Sequence, residues 1–246
     1  MEVNLQDGNV GNLGDILKHA ALVQLTNVFS EHIRDTKYYL DSHSYLYQSR
    51  LAVADWYGQT EELLKHSALY QDYIDIEAPY INKGEYLCSS GLVNKLMPDA
   101  HLLLCESNRT TREWLLQQLA DNRVTYHTVK EQMMKWIKGK SFKRLPNLLA
   151  LIDPFELTDE LWATMNQCLG KMLQQQATVI MLAFDYKKQD AREWPATAGE
   201  GLHYAGSIAM QPYHLAAYAT DDILKPLCAR LTGLAWAVSG DQAELL

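Results

Sequence analysis

Several things are missing from this chain. No apolar run comes near the roughly 20 residues that a membrane-spanning helix requires, and Met1-Glu2-Val3-Asn4 carries no signal-peptide pattern. A membrane partner is therefore not expected, and a cytoplasmic location is. Cysteine is scarce. Cys88, Cys105, Cys168 and Cys228 are widely spaced and form no Cys-x-x-Cys pair. That excludes a zinc ribbon and a disulfide framework, and reads as reduced thiols within a core. His127 and His203 have no ligand-type partners at metal spacing, so no metal site is expected. Walker-type phosphate loops and the Gly-x-Ser-x-Gly elbow are absent too. Positive charge is in deficit, with a net charge of −8. This argues against broad nucleic-acid affinity and leaves room for a local basic groove. One basic run exists, Lys135, Lys138, Lys140, Lys143 and Arg144, with Trp136 and Phe142 interleaved. A solvated helix end is the simpler reading, and contact with a phosphate backbone is the other.

What is present is a hydrophobic fraction of 48% in 246 residues, ample for one domain with an insertion. Strand-like and helix-like segments alternate. Residues 15–30 show mostly helical apolar spacing, with Asp15 as a candidate cap. Short strands are expected at 38–40, 101–106, 123–127, 148–152 and 178–184. Helices are expected at 110–120, 129–138, 158–175 and from about 222. Two strands at 203–210 and 214–220 flank Gln211-Pro212-Tyr213. Residues 50–82 read as an inserted helical subdomain, whose Tyr70, Tyr73 and Tyr80 have two readings, a stacking surface or, the simpler one at that spacing, the subdomain's own core. The pattern argues for an α/β, doubly wound, mostly parallel sheet with an antiparallel C-terminal edge.

The chemistry concentrates at strand ends. Leu148-Leu149-Ala150-Leu151-Ile152 is apolar on both faces, as a buried parallel strand should be. Pro154 lacks an N–H and must end the ladder. Asp153 is thus held at the carboxyl end of a strand, where open α/β sheets place their ligands. The alternative is a plain turn in which Asp153 caps the next helix. Asp41 and Glu106 end two other strands. A carboxylate at the second tip can accept both ribose hydroxyls of a nucleoside, or it can start the helix behind Ser107-Asn108.

Gly11-Asn12-Leu13-Gly14-Asp15-Ile16-Leu17-Lys18-His19 resembles the block near the start of the RlmJ family, bacterial 23S ribosomal RNA adenine-N6 methyltransferases. Tyr39-Leu40-Asp41-Ser42-His43 is similar to that family's first strand end. Tyr86-Leu87-Cys88-Ser89 is a looser match to its Tyr-Pro-Gly-Ser block, and Asp153-Pro154-Phe155-Glu156 to its Asp-Pro-Pro-Tyr motif. Similar blocks run in order to about residue 185. The resemblance implies a Rossmann-like class I methyltransferase fold over residues 1–246 and S-adenosylmethionine as cofactor. It further implies an RNA substrate, with His19, His43, Ser89 and Glu106 touching the cofactor. Asp153, Pro154 and Phe155 would form the catalytic motif, Asp153 binding the target amine. The chain departs from the family at the turn 41–49, which has no glycine. Tyr45 and Tyr47 there are expected to narrow the crevice. The competing expectation is a catalytically degenerate homologue retained to bind a protein or nucleic-acid partner.

Overall fold

The computed structural model describes residues 10–130, 145–154, 157–173, 178–186, 193–198 and 201–238, with side chains except at 130 and 168–173. The basic run at 135–144 and Phe155 lie outside these residues.

The first element is α1, Leu13–His32. Asn12 caps it by accepting the Asp15 backbone N–H at 3.1 Å. Asp15 sits in its first turn, with the sign that suits the helix dipole, and His32 in its last turn bonds the Val28 carbonyl at 2.8 Å. The helix is buried almost all round, since it lies between the sheet and further helices. Its buried polar groups are satisfied. Gln24 donates to the Leu69 carbonyl and to Asp72, and accepts from Arg230.

Ten strands are described: β1 Tyr38–Asp41, β2 Gln48–Arg50, β3 Glu85–Leu87, β4 His101–Cys105, β5 Tyr126–Lys130, β6 Asn147–Ile152, β7 Thr178–Tyr186, β8 His203–Met210, β9 Tyr213–Ala219 and β10 Ala237–Val238. Eight form one sheet in the order β10-β8-β9-β7-β6-β1-β4-β5. From β7 to β5 neighbouring strands are parallel, and β9, β8 and β10 add antiparallel pairings at the C-terminal edge. This is the Rossmann-like class I methyltransferase architecture expected from the sequence. Every residue of β6 is buried, because helices cover both faces. Leu149 and Leu151 enter the core that contains α1, while Leu148, Ala150 and Ile152 enter the opposite core with Trp162 and Met165. Those last two belong to α6, Asp159–Leu173.

Between β1 and β4 the chain makes α2 Trp56–Leu64, a 3-10 turn Ala68–Tyr70, α3 Gln71–Ile81 and α4 Ser89–Leu96. β2 and β3 bracket α2 and α3 as a small antiparallel pair. Gln118 of α5, Arg109–Asp121, holds β2 by accepting the Tyr47 N–H and donating to the Gln48 carbonyl. Tyr70 and Tyr73 enter the same core as α1. α7, Asp221–Gly233, closes the C-terminal side of that core.

Two expectations need correction. Residues 123–125 are not strand: Arg123 adopts a left-handed φ of 55° in the turn after α5. Val129 and Lys130 are strand, not helix. Their partners are Leu104 and Cys105 of β4, and pairing along a buried sheet outweighs local propensity. The bulky turn residues also behave differently. Leu46 and Tyr47 point into the core, and Tyr45 packs against it. The Tyr47 hydroxyl donates to Asn94 at 3.3 Å. The close approach occurs at Gly91 of α4, where a Cβ would stand 2.3 Å from the Tyr47 carbonyl oxygen. Backbone proximity comes from a glycine on the facing helix, not from the turn.

Glu77 of α3 is fully buried, and one carboxylate oxygen accepts the Leu87 N–H at 3.2 Å. Burial pushes its pKa up to about 8. The folded protein therefore keeps a proton that the unfolded chain releases near the ordinary value of 4.5. This contribution to stability is full below about pH 4.5 and is lost as pH rises through about 8. Glu77→Gln keeps an acceptor for Leu87 without the titration. Thermal unfolding should show variant and parent converging near pH 4.5, with the variant melting increasingly higher toward about pH 9. A gap that does not change with pH would refute the assignment.

Candidate functional site

The order of the sheet reverses between β1 and β6. From β1 the chain builds outward through β4 to β5, and from β6 outward through β7. Such a switch point leaves a crevice at the carboxyl ends of the strands. Asp41 ends β1, Glu106 follows β4 and Asp153 follows β6, so all three acids lie on that one edge.

The three differ sharply in their surroundings. Asp41 is buried, and its carboxylate accepts from Ser89 Oγ, from Tyr39 Oη at 3.3 Å and from the His43 backbone N–H at 3.2 Å. Burial raises its pKa against those hydrogen bonds. Buried and accepting three hydrogen bonds, Asp41 serves as a strut joining β1, the turn after it and the start of α4. Glu106 is half-buried, and burial raises its pKa as well. Its carboxylate accepts the backbone N–H groups of Asn108, at 2.6 Å, and Ser107. A carboxylate has about four lone-pair sites, so these bonds fix its orientation and leave capacity for a diol. Asn108 itself caps α5.

Asp153 has a cation. Lys18 reaches from α1 to Asp153 Oδ2 at 2.6 Å and to Asp15 Oδ1 at 3.0 Å. Asp15 is in turn held by the Gly11 N–H. Burial works against the ammonium, but the two carboxylates hold its pKa above the usual lysine value. Burial also lifts Asp153, to about 6, against the pull of Lys18. The Lys18 ammonium lies 5.4 Å above the Phe184 ring as well. Ser42 couples this tip to β1: its Oγ accepts the Asp153 N–H at 3.2 Å and meets His43 Nδ1 at 2.7 Å, and its own N–H donates to the Leu151 carbonyl.

The structure brings together Asp153, Pro154, His43 and Glu106 along the crevice edge. His43 is exposed and Pro154 buried. His19 and Ser89 lie deeper. His19 Nδ1 is 2.8 Å from Tyr86 Oη, and that hydroxyl is 3.0 Å from Tyr73 Oη. Burial first, then the neighbouring Lys18, depresses the His19 pKa to about 3, so its imidazole is neutral. Ser89 spends its hydroxyl proton on Asp41. The sequence reading assigned Lys18 no chemical role. Its spacing from Asp15 was a local signal, but its partnership with Asp153, 135 positions away, was not visible. Among the described residues, no group of three or more His, Cys, Asp and Glu is arranged to hold a metal ion. None of the helices there is long and apolar enough to cross a membrane.

No protein-family model matches the chain, and no curated protein matches it. Solved structures do. A crystal structure from Legionella pneumophila str. Philadelphia 1, of family model DUF519, superposes with a TM-score of 0.62 at 15% identity, over 91% of this chain and 94% of that one. An rRNA methylase from Streptococcus thermophilus gives 0.43 at 8% identity, over 83% and 94%. The first likeness is one of fold.

The Lys18–Asp153 pair has a measurable weight. Lys18→Met strands the carboxylates of Asp153 and Asp15 and should cost about 3 kcal/mol in denaturant unfolding. Adding Asp153→Leu should restore part of that loss, the remainder reporting Asp15 left without its cation. A Lys18→Met loss under about 1 kcal/mol, typical of an exposed pair, would show that solvent screens this contact.

Proposed function

We propose that this chain is an S-adenosylmethionine-dependent methyltransferase acting on the exocyclic amine of adenine in RNA, ribosomal RNA by its sequence resemblance. The observation that carries the reading is Asp153, held beside the switch point with a buried ammonium fixing its orientation. The fold and the resemblance of the block at 11–19 support it.

The residues fit a nucleoside cofactor at the Glu106 end. That carboxylate is oriented by its own turn and retains capacity for two hydroxyls, and exposed His43 stands on the adjoining strand tip. His19 and Ser89 would act through the residues they hold, Tyr86 and Asp41. When bound, S-adenosylmethionine supplies an electrophilic methyl on a sulfonium. An adenine amine is a poor nucleophile because its lone pair is conjugated with the ring. Asp153 accepts one amine hydrogen, and a backbone carbonyl of the Asp153-Pro154 segment takes the other, turning the lone pair out of conjugation. Positioning and electrostatics then supply most of the rate. Once the methyl had passed from sulfur to the amine nitrogen, its C–S bond broken and a thioether left behind, the amine would be acidic and Asp153 would take its proton. A carboxyl near 6 is a better acceptor than an ordinary aspartate. Lys18 stays charged and keeps Asp153 in place.

Three measurements test this. Calorimetry should detect S-adenosylmethionine binding, with Glu106→Ala weakening it by about tenfold or more. Asp153→Ala should lower methyl transfer to RNA by a factor on the order of 100 or more while leaving cofactor affinity within about twofold. The parent's kcat/KM should fall about tenfold per pH unit below about 6 and level off above, because only the ionised Asp153 accepts the amine hydrogen. No heat of binding at millimolar cofactor would overturn the reading. The chain would then be a homologue that keeps the fold to bind a partner.

A further inference from the structure

β7 outlasts its neighbour. The β6–β7 pairing ends at Ile152 and Ala183, yet β7 continues to Tyr186, paired with β9 as far as Tyr213. Phe184, Asp185 and Tyr186 therefore extend beyond the last β6 pairing, alongside the tip that carries Asp153. Side chains alternate along a strand, so Phe184 and Tyr186 face the same side, Tyr186 about 7 Å further out. Lys18 identifies that side: its ammonium touches Asp153 at 2.6 Å and lies 5.4 Å from the Phe184 ring centre. Tyr213 completes a continuous aromatic surface. Its ring is 6.1 Å from Phe184 at an interplanar angle of 25° and 5.6 Å from Tyr186.

The surface is rigid at its base and open at its end. Phe184 is only 9% exposed and belongs to the core. Tyr213 lies against the first turn of α1, where Gly14 makes room: a Cβ there would stand 2.4 Å from the Tyr213 ring. The Gly14 backbone also hydrogen-bonds the Tyr213 hydroxyl. Tyr186 is 37% exposed. Tyr186 is thus a partly open ring continuous with a buried ring and a buried ion pair, an apolar face with a polar tip, suited to a flat ligand.

We infer that Tyr186 and Tyr213 form the platform on which a single-stranded nucleobase stacks, its amino edge directed at the Asp153–Lys18 pair. The substrate class is a base already out of its stack, in a loop or a single strand. A base must leave its helix before an in-plane amine can be reached. Every base offers a π-face, so the ring surface supplies affinity. The carboxylate, which accepts hydrogens and donates none when ionised, selects bases bearing an amino group. The inference deepens the methyltransferase reading and rests on it for what happens to the bound base. Its test needs no methyl donor.

The probe is a uridine RNA oligomer carrying one central 2-aminopurine, whose fluorescence is quenched by stacking. The full-length parent should bind it with quenching. Tyr186→Ala and Tyr186→Leu should each weaken binding by about tenfold and remove most of the quenching. Tyr186→Phe should stay within about twofold of the parent, because the ring does the work. Tyr57→Ala, which removes another exposed ring on α2, should change nothing. The inference falls if Phe loses as much as Ala, if Ala and Leu bind like the parent, if Tyr57→Ala matches Tyr186→Ala, or if the parent does not quench the probe. Ring-dependent quenching in a protein that takes no S-adenosylmethionine would sink the methyltransferase reading and leave the platform standing.

Discussion

An ammonium shared by two carboxylates decides how α1 meets the sheet. Lys18 is buried with Asp153 at the tip of the central strand and Asp15 one turn back on its own helix. Taking three charges out of water is expensive, and packed apolar residues of the same volume would often be as stable. What the charges give in return is position. A helix buried almost all round has no amphipathic stripe to set its rotation, and a hydrophobic contact is indifferent to small slides. A contact of 2.6 Å to a fixed strand tip is not. The same bond that sets the helix orients the carboxylate best placed for chemistry, so the constraint on the fold and the constraint on the site are one.

The remaining buried polar groups extend this logic into the scaffold. His19, Tyr86 and Tyr73 link α1 to β3 and α3 through hydroxyls in a dry interior. Gln24 gathers Leu69, Asp72 and Arg230, tying the 3-10 turn and α7 to the middle of α1. Hydrogen bonds of this kind add little net stability, but leaving one unmade is costly. They therefore specify one packing of helices around α1. The residues that the family resemblance associates with the cofactor divide accordingly: Glu106 and His43 sit at the crevice, while His19 and Ser89 hold the walls behind it.

The switch in strand order also separates two tasks in space. On the β1–β4 side lies a half-buried carboxylate steadied by backbone N–H groups of its own turn. On the β6–β7 side lie the ion pair and the aromatic rings. A bound nucleoside on one side and a base on the other would meet over Asp153. Between them Gly91 lets α4 pack closely on the backbone of the turn at Tyr47.

Much of this was legible in the residues. The apolar run 148–152 broken by Pro154 places Asp153 at a strand end, since proline cannot continue a ladder. The alternation of segments implies a parallel sheet, and the adjacent strands around Pro212 imply its antiparallel edge. These are local signals, carried by covalent geometry and by burial on both faces. The boundaries of β5 were not legible, because partners in β4 override the propensity of Val129 and Lys130. Nor was the direction of Tyr45 and Tyr47, which depends on a core built by helices elsewhere in the chain. Lys18 and Asp153 are 135 positions apart, and Phe184, Tyr186 and Tyr213 come from two strands that meet only in the sheet. The sequence by itself determined which strand tips carry acids. Only the tertiary structure decided which acid is spent as a strut, which is steadied by its own turn and which is paired with a cation, because a carboxylate's role depends on the neighbours that folding brings within hydrogen-bonding reach.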